Sequence, residues 1–311
     1  MNTSYNGSGF IVAKEGNTYT VLTAAHVVSN ETSKFEILAP DGKRYPVDSA
    51  TIQRDEGVDL AVVRFTSTEN YQVATLANYN PNNGDYVFLG GYPKLGQTDP
   101  KWNFGAGLMF DKELGILSTG SISLETDDSG LVSSSSTFAG GYEMVYTNIS
   151  YGGMSGAPVL DTQGRVIGIH GSVEGEYVND EAQQEFVEVQ LGYSLGISTS
   201  TFLGIAPRLN VKNLLPVENT APAQLSEQQQ QSILEAILSI AVPQSQASAS
   251  QWLTRGNQLW RLGQLDEAQK AFDKAIQLND SALMYLAWYG KGLTLFEQKK
   301  GRSCRRIRTS Y

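Results

Sequence analysis

The feature that most limits what this chain can fold into is a change of hydrophobic period about two thirds of the way along it. Residues 1–212 show no sustained three- and four-residue apolar spacing. They carry short β-branched and apolar runs instead: Thr18–Leu22, Val58–Phe65, Tyr86–Gly90, Gly115–Leu124, Glu143–Asn148, Ala157–Leu160 and Arg165–Ile169. Clusters of Gly, Asn, Asp and Ser cut these runs, which reads as strands and turns. Strands at this spacing, with no helical pattern between them, predict an all-β barrel or sandwich. Ser129–Ser136 predicts a polar loop at a hairpin-like position. The acidic run Glu174, Glu176, Asp180, Glu181, Glu185 and Glu188 predicts a solvated loop.

The composition shifts near Leu214. Residues 213–250 hold Pro216, Pro222, Pro243 and the Gln228–Gln231 run, as a linker would. Within it, Ser226–Ala241 can form one amphipathic helix, with Ile233, Ile237 and Ile240 on one side. Residues 251–298 then follow helical spacing through Trp252, Gly256, Leu259, Leu262, Gly263, Ala268, Phe272 and Ala275. Trp288, Gly292 and Leu295 repeat Trp252, Gly256 and Leu259 at a constant separation of 36 residues. This pattern resembles the tetratricopeptide repeat, whose period is about 34 residues. One repeat is complete and the second partial. Residues 299–311, with six bases and no acid, are expected to be a basic tail that breaks off the second repeat, as truncation or a shifted reading frame would.

Composition removes several function classes. Cys304 is the one cysteine, so an intramolecular disulfide and a cysteine-built metal site are excluded. No metal or cofactor is expected, and the compartment stays open. Residues 1–212 hold 12 Lys and Arg against 24 Asp and Glu, which argues against nucleic acid as a partner. Ile233–Val242, the longest nearly apolar run, is far below the ~20 residues of a membrane span. No basic stretch leading into an apolar core opens the chain, so no signal peptide is expected. Any histidine chemistry must use His26 or His170.

Three segments carry chemistry: Leu22-Thr-Ala-Ala-His26-Val-Val, Gly57-Val-Asp59-Leu-Ala-Val-Val and Gly152-Gly-Met-Ser155-Gly-Ala-Pro-Val. A serine hydroxyl needs a neutral imidazole to take its proton, and the imidazole needs a carboxylate to hold its tautomer. Histidine, aspartate and serine in this order, over residues 5–212, resemble the trypsin-like, chymotrypsin-fold serine peptidases. That resemblance implies a double β-barrel over residues 1–212, followed by the small all-α repeat segment. It implies His26 as general base, Asp59 as its orienting carboxylate and Ser155 as nucleophile. The amides of Gly153 and Ser155 would form the oxyanion hole.

The same resemblance reads the pocket. Members that cut after Lys or Arg keep an aspartate six residues before the nucleophile, where this chain has Ile149. Ser150 and His170, with Gly171 and Ser172 after it, are similar to the substrate-binding set of the glutamyl endopeptidases. A histidine beside a hydroxyl suits a carboxylate, so cleavage after Glu is expected. The competing reading makes His170 a strand-end histidine satisfied by backbone. Met154 stands where activated trypsins keep an aspartate, so no zymogen switch of that kind is expected. The family has one or two more strands than precede Gly7 here, so the first strand is expected to be missing. The combination resembles bacterial, cyanobacterial-type peptidases with appended repeats. Protein or peptide substrates follow, with a protein partner for the repeats. The alternative is a catalytically inactive peptidase-like scaffold that binds partners through its repeats.

Overall fold

The computed structural model describes residues 6–30, 32–93, 101–110, 124–126, 132–134, 140–180, 185–212, 217–239 and 247–308. The expected strand at Gly115–Leu124 lies outside them except for its last residue.

Two compact units are distinguished. The first comprises residues 1–146, 150–172 and 194–225, the second residues 147–149, 173–193 and 226–311. The chain opens with β1 (Phe10–Glu15), β2 (Thr18–Thr23), β3 (Glu36–Leu38), β4 (Arg44–Pro46), β5 (Gln53–Arg54) and β6 (Ala61–Thr66). These form a four-stranded sheet in the order β1-β2-β6-β5 and a β3-β4 pair. Tyr19, Val21, Val63 and Phe65 turn inward from β2 and β6. Tyr19 stacks on Phe65 at 5.1 Å. Aromatic and β-branched side chains facing one another across a ladder are what stabilise such a sheet.

β7 (Tyr86–Gly91), β8 (Asn103–Phe110), β9 (Leu124–Thr126), β10 (Val132–Ser134), β11 (Met144–Tyr146), β12 (Pro158–Leu160), β13 (Val166–Asp180) and β14 (Glu185–Ser198) follow. Six of these close a barrel in the order β11-β14-β13-β12-β7-β8, while β9 and β10 pair separately. Val87, Leu89, Tyr146, Met154, Val159 and Ile167 fill the barrel core. A cap helix, α1 (Thr199–Ile205), ends this part.

Two expectations need correcting here. Val132–Ser134, inside the expected Ser129–Ser136 loop, is strand β10, and the flanking residues 129–131 and 135–136 lie outside the description. The acidic run over 174–188 is not a loop either. Glu174, Glu176 and Asp180 lie on β13, and Glu185 and Glu188 on β14, with only Glu181 outside the described residues. β-Branched residues between the acids keep the strands running despite the charge.

The helices follow: α2 (Glu227–Ser239), α3 (Ala249–Arg261), α4 (Leu265–Gln277) and α5 (Met284–Arg308). α2 falls within the helix expected at Ser226–Ala241. α3 starts at a reciprocal cap, with Gln251 N donating to Ser248 Oγ at 3.3 Å and Ser248 N to Gln251 Oε1 at 3.1 Å. Gly263, at φ 71°, makes the turn into α4. Phe272 of α4 lies against Gly256, where any Cβ would be 2.7 Å from the ring. The same ring also lies against Gly290. α5 runs through the basic segment to Arg308, and Arg, Lys and Gln are good helix formers.

Candidate active site

The β2–β6 ladder explains why His26 and Asp59 meet. Thr23 pairs with Ala61, so the residues just after β2 and just before β6 emerge at the same end. His26 sits in a 3-10 turn over Ala25–Val28. Ala25 N donates to Asp59 O at 3.2 Å and fixes that turn. His26 Nδ1 lies 2.6 Å from Asp59 Oδ2, and His26 N donates to Asp59 Oδ1 at 2.8 Å. A third donor reaches the same carboxylate, the Tyr142 hydroxyl on Oδ2. The His26 side chain is 49% exposed and that of Asp59 15%. Burial would raise the Asp59 carboxyl's pKa, but hydrogen bonds from His26 and Tyr142 hold it below the ordinary carboxylate value.

Ser155 comes from the loop before β12. Gly156 N donates to His170 O at 2.7 Å and His170 N to Ala157 O at 2.8 Å, which lays this loop along β13. Ser155 Oγ then donates to Gly171 O at 3.3 Å. No hydrogen bond joins it to His26 among the described residues. Ser8 ties the loop to the first sheet, with Ser8 N on Ser155 O at 2.8 Å and Ser8 Oγ on Gly153 O at 2.8 Å. Gly156 has φ 88°, and a Cβ there would strike Ser8 O and Thr23 Oγ1 and come 3.0 Å from Ala24 N. The Ser155 loop therefore abuts the end of β2 that leads to His26.

The amides in this loop divide cleanly. Met154 N donates to Tyr151 O at 3.0 Å and Ala157 N to Met154 O at 2.9 Å, while Gly156 N is spent on His170. Among the described residues, neither the Gly153 nor the Ser155 amide has a protein acceptor. Gly153 reaches its place at φ 95°. Met154 is fully buried in the barrel core.

The expected pocket residues also meet. His170 is 2% exposed. Its Nδ1 lies 2.6 Å from Tyr146 Oη and its Nε2 2.6 Å from Ser150 Oγ, so both ring nitrogens are engaged by hydroxyls, and the Leu195 backbone acts on the ring as well. Gly171 follows, packed on Tyr142, and Ser172 lies next to it on β13. Neither Tyr142 nor Tyr146 was expected among the site residues. The one local signal for the first is the pair Gly140-Gly141 before it, at φ 86° and 81°.

Burial, with a further push from His26, lowers the His170 pKa to about 3. The folded state thus keeps this imidazole neutral, whereas the unfolded chain protonates it below about 6.5. The unfolded state binds the extra proton, so stability falls as pH drops through that window. The slope approaches about 1.4 kcal/mol per pH unit, amounting to about 2 kcal/mol between pH 8 and pH 5. Urea unfolding at several pH values is expected to show this slope in the wild type and to lose it in His170→Gln. A slope equal in both proteins would contradict the assignment.

A cavity of about 400 Å³ opens in the first sheet region between Phe10, Ile11, Phe35, Ile37, Val63 and Phe65. His26 does not line it. No group of three His, Cys, Asp or Glu among the described residues could hold a metal ion. No helix among them is long and apolar enough to cross a membrane.

A family model described as a trypsin-like peptidase domain matches residues 7–169, just over half of the chain. A second, described as a tetratricopeptide repeat, matches residues 249–282. No curated protein matches the chain.

Proposed function

The chain belongs to the trypsin-like peptidase family and carries a tetratricopeptide repeat, and from that premise we propose that it is a serine endopeptidase using Ser155, His26 and Asp59. The observation that supports this most is the two-point grip of Asp59 on His26, through Nδ1 at 2.6 Å and the backbone amide at 2.8 Å. That grip fixes the ring tautomer and leaves Nε2 to accept a proton. The Ser155 hydroxyl turns from Gly171 O toward His26, loses its proton to Nε2 and attacks the scissile carbonyl. The Gly153 and Ser155 amides receive the oxyanion, each worth roughly 3–4 kcal/mol. His26 returns the proton to the leaving amine, and water reverses the sequence on the acyl-enzyme.

A fluorophosphonate probe tests this directly. Covalent labelling of the wild type, with none of a folded Ser155→Ala variant, supports the peptidase. A folded wild type that stays unlabelled supports the inactive scaffold.

For specificity we propose that the substrate side chain preceding the scissile bond is acidic and meets Ser150. His170 acts behind Ser150 rather than on the substrate itself. Its Nε2 lies 2.6 Å from Ser150 Oγ, so the imidazole orients the hydroxyl that is to meet the carboxylate. Peptides differing only in that residue are expected to be cleaved fastest with Glu, and Ser150→Ala is expected to lower kcat/KM for Glu about tenfold. Preference for Arg or Phe would sink this reading. The repeat segment is proposed to hold a protein partner, and the domain limits 1–212, 213–250 and 251–298 are proposed as the functional divisions.

A further inference from the structure

We propose that Tyr142 is a positioning residue for the Asp59–His26 pair, its hydroxyl fixing the carboxylate and limiting the negative charge that faces the imidazole. This rests on the assignment of His26, Asp59 and Ser155 above.

The contact is built rather than incidental. Asp59 N donates to Gly140 O at 2.9 Å, while Tyr142 Oη donates back to Asp59 Oδ2, so the turn grips Asp59 at two points. Its two glycines permit the approach. A Cβ on Gly140 would lie 3.4 Å from Asp59 Cβ, and one on Gly141 would lie 3.2 Å from Val58. On the far side, a Cβ on Gly171 would fall 2.5 Å from Tyr142 Oη. The tyrosine thus fills the space a side chain at 171 would take, beside the carbonyl that receives Ser155 Oγ.

Burial and the neighbouring Asp59 raise the Tyr142 hydroxyl well above its ordinary pKa, so it remains a donor throughout the range of activity. Two donors then share Oδ2, the phenol and His26 Nδ1. Removing the phenol leaves more charge facing the imidazole, which then holds its proton more tightly. It also frees the carboxylate to turn. The other charged groups nearby do not change over this interval. Asp55 is committed to Arg208 at 2.8 Å and has its carboxyl held low by that partner, and His170 stays neutral.

The test is kcat and KM across pH 5–9 for the full chain and for Tyr142→Phe, which keeps the ring's packing. kcat is expected to fall about tenfold with KM little changed. The acid limb of kcat/KM is expected to move up by roughly half a unit or more. Gly171→Ala, which pushes the ring off Asp59, is expected to move the limb the same way. An unshifted limb in these variants, whatever the rate, overturns the proposal. The proton resonance of His26 Nδ1 gives a readout independent of turnover, and it must change in Tyr142→Phe. A wild type that hydrolyses nothing would sink the peptidase reading, while that resonance still decides Tyr142.

Discussion

Ser155→Ala is expected to lower kcat for peptide hydrolysis by roughly four to six powers of ten. In the proposed mechanism the hydroxyl oxygen is the atom that becomes acylated, and alanine supplies none. Among the described residues its one hydrogen bond, to Gly171 O at 3.3 Å, is long and contributes little to stability. The variant should therefore fold as the wild type does. His26→Ala is expected to cost about as much, since without the imidazole the hydroxyl keeps its proton. The two losses should not add. Residues that act as one unit fail together, so the double variant should be about as slow as either single one. Asp59→Asn should leave the fold but cost about 10⁴-fold, because an amide can stabilise the wrong imidazole tautomer. Additive losses, or hydrolysis by Ser155→Ala at a wild-type rate, would remove these residues from the chemistry. The measurement is burst and steady-state hydrolysis of a fluorogenic peptide, with circular dichroism as the folding control.

The His26–Asp59 pairing was read from the order of the motif segments and the family they resemble, and its local cause is the β2–β6 ladder. Two apolar runs pair, and the polar residues just outside each run emerge at a common end. Ser155 was legible for a similar reason, since a glycine-flanked serine before Ala157-Pro158-Val159 reads as a loop feeding a strand. Tyr142 was not. It lies 83 residues from Asp59 and in none of the three motif segments, and only the tertiary fold brings it to the carboxylate. His170 and its neighbour Ser150 were legible, whereas Tyr146, which engages the other ring nitrogen, was not expected there. The acidic run illustrates a different failure. Val187-Glu-Val-Gln-Leu191 alternates as a strand should, yet charge density suggested solvent. β8 escaped notice because Asn103-Phe-Gly-Ala-Gly is rich in glycine, and it forms through its ladder with β7. In the repeats, the packing of Phe272 against Gly256 and Gly290 was not read from the spacing.

Arg165→Ala is expected to destabilise the β-rich unit by about 3–5 kcal/mol. The guanidinium is buried between two acids, with Nη2 2.7 Å from Asp161 Oδ2 and Nη1 2.6 Å from Glu218 Oε2. Asp161 is 2% exposed and Glu218 51%, so the two pairs are unequal. Deleting the arginine leaves the Asp161 carboxylate buried without its cation, and that desolvation governs the cost. Glu218 can return to water. Glu218→Gln is therefore expected to cost no more than about 1 kcal/mol. The arrangement also joins three segments. Val166 N donates to Thr75 O at 2.8 Å and Glu218 N to Leu76 O at 3.0 Å, so the arginine sits where the strand start, the 75–78 segment and the Glu218 segment converge. Removing both buried charges should be milder than removing one, and Asp161→Asn with Arg165→Met should recover part of the loss. The resulting coupling energy is read from urea midpoints of the four proteins in the cycle. A cost for Arg165→Ala no greater than that for Glu218→Gln would mean that the buried Asp161 charge is relieved by solvent, and that the ion pair does not hold this corner of the barrel.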